Sequence, residues 1–171
     1  MSSLARRAYG LLWVIFVIDQ ITKSWAVSAL QNPERNIDLI GSLRFNLVFN
    51  EGMSFSQGEG LGRWLGMFAT LVLIGLVVYM YSQTEPAIVY PLALVGAGVA
   101  GNGADRMLRG NGFFDGAVID FVDLQWWPVW NVADAAIVIG GLVLVVFGSR
   151  AMQAATEPAD SPIDGEVADV R

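Results

Sequence analysis

The chain has 171 residues, 54% of them hydrophobic and only 15% charged, with a formal net charge of −6 and neither histidine nor cysteine. Its mean hydropathy of +0.52 is far from that of a soluble domain, where charged residues alone reach about a quarter of the total. The missing residue types exclude a thiolate nucleophile, a Ser-His-Asp triad, disulfides and the usual zinc sites, so carboxylates lead as candidates for any hydrolytic chemistry.

Four apolar segments follow one another: 9–30, with Asp19 and Lys23 inside it; 64–81 and 87–104, both uncharged; and 131–148, with Asp134 in its first turn. Each is close to the ~20 residues a helix needs to cross a bilayer core of ~30 Å. They lack the alternation of barrel strands, which leaves helices as the spanning element. The fold expected is therefore an all-α membrane protein of four transmembrane helices. The length allows one domain, 1–150, followed by a tail, 151–171. That tail carries Glu157, Asp160, Asp164, Glu166 and Asp169 without periodicity, a composition of disorder.

Arg6 and Arg7 before the first segment and Arg150 after the last favour cytoplasmic termini by the positive-inside rule. Arg35, Arg44, Arg63, Arg106 and Arg109 fall on the outer side and oppose it. Arg6-Arg7, an apolar stretch and Val27-Ser28-Ala29 also have the form of a cleavable secretory signal. Asp19 and Lys23 interrupt that form, and the later spans need a first one to pair with.

The outer segment 31–63 contains a near-alternating stretch, 43–49, that reads as a half-exposed strand with Leu43, Phe45, Leu47 and Phe49 on one face. Asn50-Glu51-Gly52-Met53-Ser54-Phe55 breaks it with turn chemistry, and glycines 58, 60 and 62 suggest a loop. After the third segment, Arg109-Gly110-Asn111-Gly112 and Asp115-Gly116 are turn signals, and 117–124 alternates like a short strand. Trp126, Trp127 and Trp130 then cluster as an interfacial aromatic belt would, with Pro128 ahead of a helix start.

The polar residues inside this oily sequence form small constellations. Asp19 and Lys23, the latter the sole lysine, are four apart in the favourable helical order. The plain reading is an interfacial pair with Lys23 snorkelling. Asn102, Asp105 and Arg106 share a helix face near the end of the third segment, where Asp105 opposes the dipole and needs a partner in Arg106 or a neighbouring helix. Gly96, Gly98 and Gly101 make that helix thin enough for close packing. Asp134, three after Asn131, suits a helix N-terminus. Asp120 has no such explanation, because Val118 and Val122 lie on its own strand face. If Asp120 met Asp134 at ~4 Å, the two carboxylates would repel by ~4 kcal/mol at an effective dielectric of 20. One would then hold a proton while the other is ionised, the acid–base logic of an aspartic protease.

Asp19-Gln20-Ile21-Thr22-Lys23, Asn50-Glu51-Gly52, Gly101-Asn102-Gly103-Ala104-Asp105-Arg106, Val118-Ile119-Asp120-Phe121 and Asn131-Val132-Ala133-Asp134 stand in the order and at the spacings of the bacterial lipoprotein signal peptidases (type II signal peptidases). The chain resembles that family over about residues 5–150. The resemblance implies an aspartyl endopeptidase of the bacterial inner membrane that removes signal peptides from diacylglyceryl-modified prolipoproteins, N-terminal to the lipidated cysteine. Its active site would lie near the extracytoplasmic leaflet, and the strand at 43–49 would belong to an extracytoplasmic β-cradle beside a loop or short-helix insertion. By this match Asp120 and Asp134 are the catalytic pair. Asn50, Gly52, Asn102, Arg106 and Asn131 hold substrate, and Asp19, Lys23, Asp105 and Ala133 support the site. No metal or cofactor is implied. The partners are prolipoprotein signal peptides and membrane lipids, with no nucleic acid, and the inhibitor globomycin is expected to bind a monomer. Ala97, Val99 and Trp130 stand where the family usually has Gly, Ala and Phe.

Two rivals remain open from the residues alone. One is a Ser-Lys hydrolase using Lys23 with Ser54 or Ser24. The other is a small transporter or channel subunit using Asp19, Asp105 and Asp134, against which stands the uncharged second segment.

Overall fold

The structure is a computed structural model that describes residues 2–32, 36–52, 61–112 and 114–148, with backbone alone at 61 and 62. The acidic tail 151–171, Arg35, Arg150, Ser54 and glycines 58 and 60 therefore lie outside the described residues. The elements are α1 (Ser3–Leu30), β1 (Ile37–Ile40), β2 (Leu43–Asn50), α2 (Leu61–Ser82), α3 (Pro86–Leu108), β3 (Val118–Asp123) and α4 (Val132–Val143), the last continued by a π-helical turn, Leu144–Gly148. Among the described residues, three helical stretches are long and apolar enough to cross a membrane: Ser3–Leu30, Arg63–Ser82 and Pro86–Leu108; Val132–Gly148 is apolar but shorter.

Two helices overrun their apolar cores. α1 begins at Ser3, where the Ser2 hydroxyl accepts from Ala5 N at 3.1 Å and caps the first turn. Its start lies before residue 9 because polar residues cost nothing once a cap and water satisfy the end. α3 starts on Pro86, whose missing N–H is harmless in a first turn, and runs past 104 to Leu108. The overrun keeps Asp105 and Arg106 in the last turns of the helix with Asn102, on the shared face expected.

α3 is the central helix: half of its apolar stretch is buried, against about a tenth for α2. α2 turns Trp64, Phe68, Leu71, Ile74 and Val78 outward, an apolar stripe suited to lipid. α3 and α4 approach closely because small residues line the seam. A Cβ on Gly98 would strike the Ala133 carbonyl oxygen, and one on Gly140 would meet Pro91 O at 2.7 Å. Without a hydrophobic gain between helices in lipid, such close packing is what holds them together. Toward the other end, Ala8, Met80, Ile88, Val89, Leu92 and Ala93 form an apolar cluster, and Tyr9 Oη donates to Val77 O at 2.9 Å.

The three strands make an antiparallel sheet in the order β1-β2-β3. β2 and β3 pair Phe45 with Val122, Val48 with Asp120 and Asn50 with Val118, with a register shift between Phe45 and Val48. The irregularity lets Phe45 face α1 while Asn50 comes diagonally opposite Asp120. The sheet is anchored to α1 by Trp25, Phe45 and Phe121, whose ring centroids lie 5.1 to 6.2 Å apart. β3 is buried at every position but Val122, so the alternation expected at 117–124 does not translate into one wet face. β3 packs against both α1 and α3. Trp126 and Trp127 are exposed, as an interfacial belt requires.

Gly98→Val should lower stability by about 1–3 kcal/mol through overpacking of the seam, read as a lower thermal midpoint in detergent. Gly75→Ala, where a Cβ meets nothing within 4 Å, should leave the midpoint unchanged or raise it.

Candidate active site

Asp120 and Asp134 are fourteen positions apart in sequence, and a short excursion of chain closes that gap. After β3 the chain turns at Gln125, which has φ 66°. Gln125 N donates to Asp123 Oδ1 at 2.6 Å, and its side chain donates to Ser42 O at 2.9 Å. The chain passes the exposed tryptophans and returns antiparallel to β3: Val122 N donates to Trp130 O at 2.8 Å and Trp130 N to Val122 O at 3.0 Å. This pairing delivers Asn131 to the side of Asp120 as α4 begins.

Asn131 then does two things. As the N-cap of α4 it forms a capping box with Asp134: its Oδ1 accepts from Asp134 N at 3.0 Å, and its own N–H donates to Asp134 Oδ2 at 3.1 Å. Its Nδ2 donates to Asp120 Oδ1 at 2.6 Å. The capping role expected of Asp134 and its place beside Asp120 are thus one arrangement. Asn102 Nδ2 donates to Asp134 Oδ1 at 2.8 Å, and Asn50 Nδ2 donates to Asp120 Oδ2 at 3.0 Å. Gly52, with φ 114°, places its N–H 3.0 Å from Asn50 Oδ1. That contact orients the Asn50 amide with its nitrogen toward Asp120.

Behind the pair sits a cluster of buried charge. Lys23 Nζ lies 2.9 Å from Asp19 Oδ2 and 2.8 Å from Asp105 Oδ2, with all three side chains fully buried. Lys23 also donates to Asn102 Oδ1 at 2.8 Å. An interfacial, snorkelling Lys23 is therefore corrected: the ammonium points inward because two carboxylates wait there. Asp105 is paired with Lys23 and with Arg109 at 2.7 Å, and it accepts from Ile119 N at 3.2 Å. Its neighbour Arg106 is not its ion-pair partner. Asp19 Oδ1 accepts from Ala133 N at 2.9 Å, so the α1 carboxylate holds the first turn of α4. Gly101 must lack a side chain because a Cβ there would strike the Asp19 carboxylate. Gln20 stitches the cluster by donating to Asp19 Oδ2 at 3.1 Å and to Gly101 O at 3.2 Å.

A cavity of about 360 Å³ opens in front of the pair, lined by Asn50, Asn102, Arg106, Asp120 and Asp134 on its polar side. Leu65, Phe68, Val72, Val99 and Ile137 line its apolar side. Arg106 is 8% exposed, and its Nη1 is buried without a hydrogen-bond partner among the described residues. An unsatisfied buried donor costs about 1–3 kcal/mol. Burial raises the Asp120 carboxyl to about 6; the charge of Asp134 adds to this, while donation from Asn50 and Asn131 and the charge of Lys23 oppose it. Burial would also raise Asp123, but donation from Gln125 N, Arg44 and Asn46 outweighs it and holds that carboxyl below its ordinary range.

Residues 11–149 match the family model described as signal peptidase (SPase) II. The chain belongs to the signal peptidase II family. A lipoprotein signal peptidase of Syntrophomonas wolfei is 35% identical over 141 residues, covering 82% of this chain and 91% of that protein. One of Rhodococcus jostii is 40% identical over 134 residues, covering 78% and 67%. A solved structure described as a bacterial membrane enzyme superposes with a TM-score of 0.73 at 20% identity, over 90% of this chain and 93% of that one, which supports the same fold. As a signal peptidase II, the chain is a membrane peptidase that acts on prolipoprotein signal peptides.

Asp19, Lys23, Asn50, Gly52, Asn102, Asp105, Arg106, Asp120, Asn131, Ala133 and Asp134 lie together at this site. Gly52 serves there by orienting Asn50, and Ala133 by its backbone N–H. Sequence reasoning missed Gln20 and Arg109 as members of the charge cluster. Arg109 had a legible signal, its position four after Asp105 on one helix face; Gln20 had none, because its role depends on α3. The Ser-Lys alternative loses its base, since Lys23 is saturated by three acceptors, and Ser24 is exposed and donates to Gln20 O. Ser54 lies outside the described residues.

The raised Asp120 fixes the sign of one pH effect. Its contribution to stability is fully present below its ordinary value of 3.8 and is lost as pH rises through about 6. Asp120→Asn should therefore unfold at a higher temperature than the parent above that pH, and the gap should close on acidification. Thermal scans in detergent at several pH values read this directly.

Proposed function

We propose that Asp120 and Asp134 form the catalytic pair of an aspartyl endopeptidase that cuts diacylglyceryl-modified prolipoproteins N-terminal to the lipidated cysteine. The observation that carries the reading is the single residue joining the acids: Asn131 donates from its side chain to Asp120 and from its backbone to Asp134. Two carboxylates held through one asparagine at the wall of a cavity disfavour ionising together, so one carries the charge and the other the proton. One accepts a proton from water, and the other donates to the scissile carbonyl oxygen.

Asn50, Asn102 and Arg106 supply donors at the cavity wall for a substrate backbone, whose carbonyls accept. The apolar wall contributed by α2, α3 and α4 suits the hydrophobic stretch of a signal peptide. Globomycin, a lipopeptide inhibitor of the family, would occupy the same cavity.

The pair, the sheet and the exposed Trp126 and Trp127 lie at one end of the bundle, which fits the extracytoplasmic leaflet of the bacterial inner membrane with both termini cytoplasmic. The sheet is then the β-cradle expected from the family. α4 with its π turn spans 12 and then five residues, about 26 Å at helical rise. A fourth span of that length suits a ~30 Å core with local thinning, at a modest cost per Å. The proposed chemistry needs one chain alone, and the enzyme is proposed to act as a monomer. Residues 1–150 form the peptidase domain, and the acidic tail 151–171 follows it.

Asp120→Asn and Asp134→Asn should each abolish cleavage of a lipidated precursor peptide by purified protein in detergent, with unchanged expression. EDTA should leave the parent rate unchanged. Normal turnover by either variant would remove the pair from the chemistry.

A further inference from the structure

Lys23 does not line the cavity, yet one of its contacts reaches the reacting groups through a neighbour. An ammonium has three protons to donate and no acceptor. Two go to Asp19 and Asp105, and the third goes to Asn102 Oδ1 at 2.8 Å. Asn131 Nδ2 lies 3.2 Å from the same oxygen. The Asn102 amide is thereby turned one way only, with its nitrogen 2.8 Å from Asp134 Oδ1. Turned over, its NH₂ would face an ammonium and its carbonyl a carboxylate, two repulsions in place of two hydrogen bonds.

We propose that Lys23 is a positioning residue for the peptidase reaction: acting through Asn102, it fixes the negative charge of the pair on Asp134, which makes Asp134 the base and Asp120 the acid. This rests on the catalytic pair assigned above. Asp134 takes one hydrogen bond from an amide polarised by a buried cation and another from the Asn131 N–H at the start of α4, where the helix dipole favours an anion. Asp120 lies on a strand and takes its two from the uncharged side chains of Asn50 and Asn131. The charged groups that reach it are Asp134 from α4, Lys23 from α1 and Arg106 from α3. Burial outweighs the rest and raises it to about 6, so it keeps its proton well into the weakly acidic range.

The reaction balances on this assignment. Asp134 takes a proton from water as the oxygen bonds to the scissile carbonyl carbon, and Asp120 gives its proton to the carbonyl oxygen. The carbon–nitrogen bond then breaks. The leaving nitrogen takes the water-derived proton from Asp134, and the hydroxyl formed from the carbonyl returns its proton to Asp120, restoring both acids.

The test measures kcat and KM against pH for the full chain in detergent with a lipidated precursor peptide. Asp19→Asn/Lys23→Met removes one positive and one negative charge together and leaves an oxygen for Ala133 N. Its kcat should fall by roughly 10- to 100-fold, with KM within about twofold of the parent. The acidic limb of its profile should move to higher pH, because the cation that favours the ionised base is gone. Asn102→Leu, which alters no charge, should move the limb the same way, and adding it to the double variant should cost little more. An unmoved limb in both backgrounds, a loss confined to KM, or full additivity of the two changes would overturn the positioning role while leaving the pair intact. Turnover by Asp120→Asn or Asp134→Asn in the same assay would instead overturn the pair.

Discussion

A charge buried in an apolar bundle must meet its opposite, and this constraint organises the outer half of the molecule. Removing one partner from a buried pair typically costs about 3–5 kcal/mol, so Lys23, Asp19 and Asp105 cannot separate without a large penalty. Asp19 and Lys23 belong to α1 and Asp105 to α3, and the free oxygen of Asp19 grips the Ala133 N–H of α4. One cluster therefore sets the height and rotation of three helices. Asp105 carries the same constraint to the sheet through Ile119 N, the residue before Asp120.

Seen from this cluster, the site is a sequence of oriented amides. Asn102, Asn50 and Asn131 each present a nitrogen to a carboxylate, and each is turned by something behind it: an ammonium for Asn102, the Gly52 N–H for Asn50 and the α4 capping box for Asn131. Amides are suited to this because they donate without adding charge, so the reacting acids keep the one charge that matters. Arg106 Nη1, buried without a partner among the described residues, stands apart from this closed set.

Much of this was legible in the sequence, for identifiable reasons. Apolar length announced the helices, and the scarcity of polar residues made each constellation conspicuous, which is how Asp19, Lys23, Asn102, Asp105 and Asp134 stood out before their contacts were known. The meeting of Asp120 with Asp134 was inferable only from the resemblance, because it depends on a return pairing of Trp130 with Val122 that no local pattern encodes. Lys23 illustrates the limit in the other direction. A lone lysine near the end of a span ordinarily reaches for water, and only the arrival of Asp105 from another helix reverses that preference. Gln20 is invisible for the same reason.

The excursion between Val122 and Trp130 is tethered at both feet: by the paired backbone at its base and by the contacts of Gln125 with Asp123 and Ser42 on its rising side. The numerical gap between the two acids is accordingly a property of the loop rather than of the chemistry. Chain added at the crest, around Trp127 and Pro128, would enlarge the arch without moving its footings. The span from 126 to 128 is thus a natural graft point, where a probe or tether could be fused while the hydrolytic centre beneath keeps its shape.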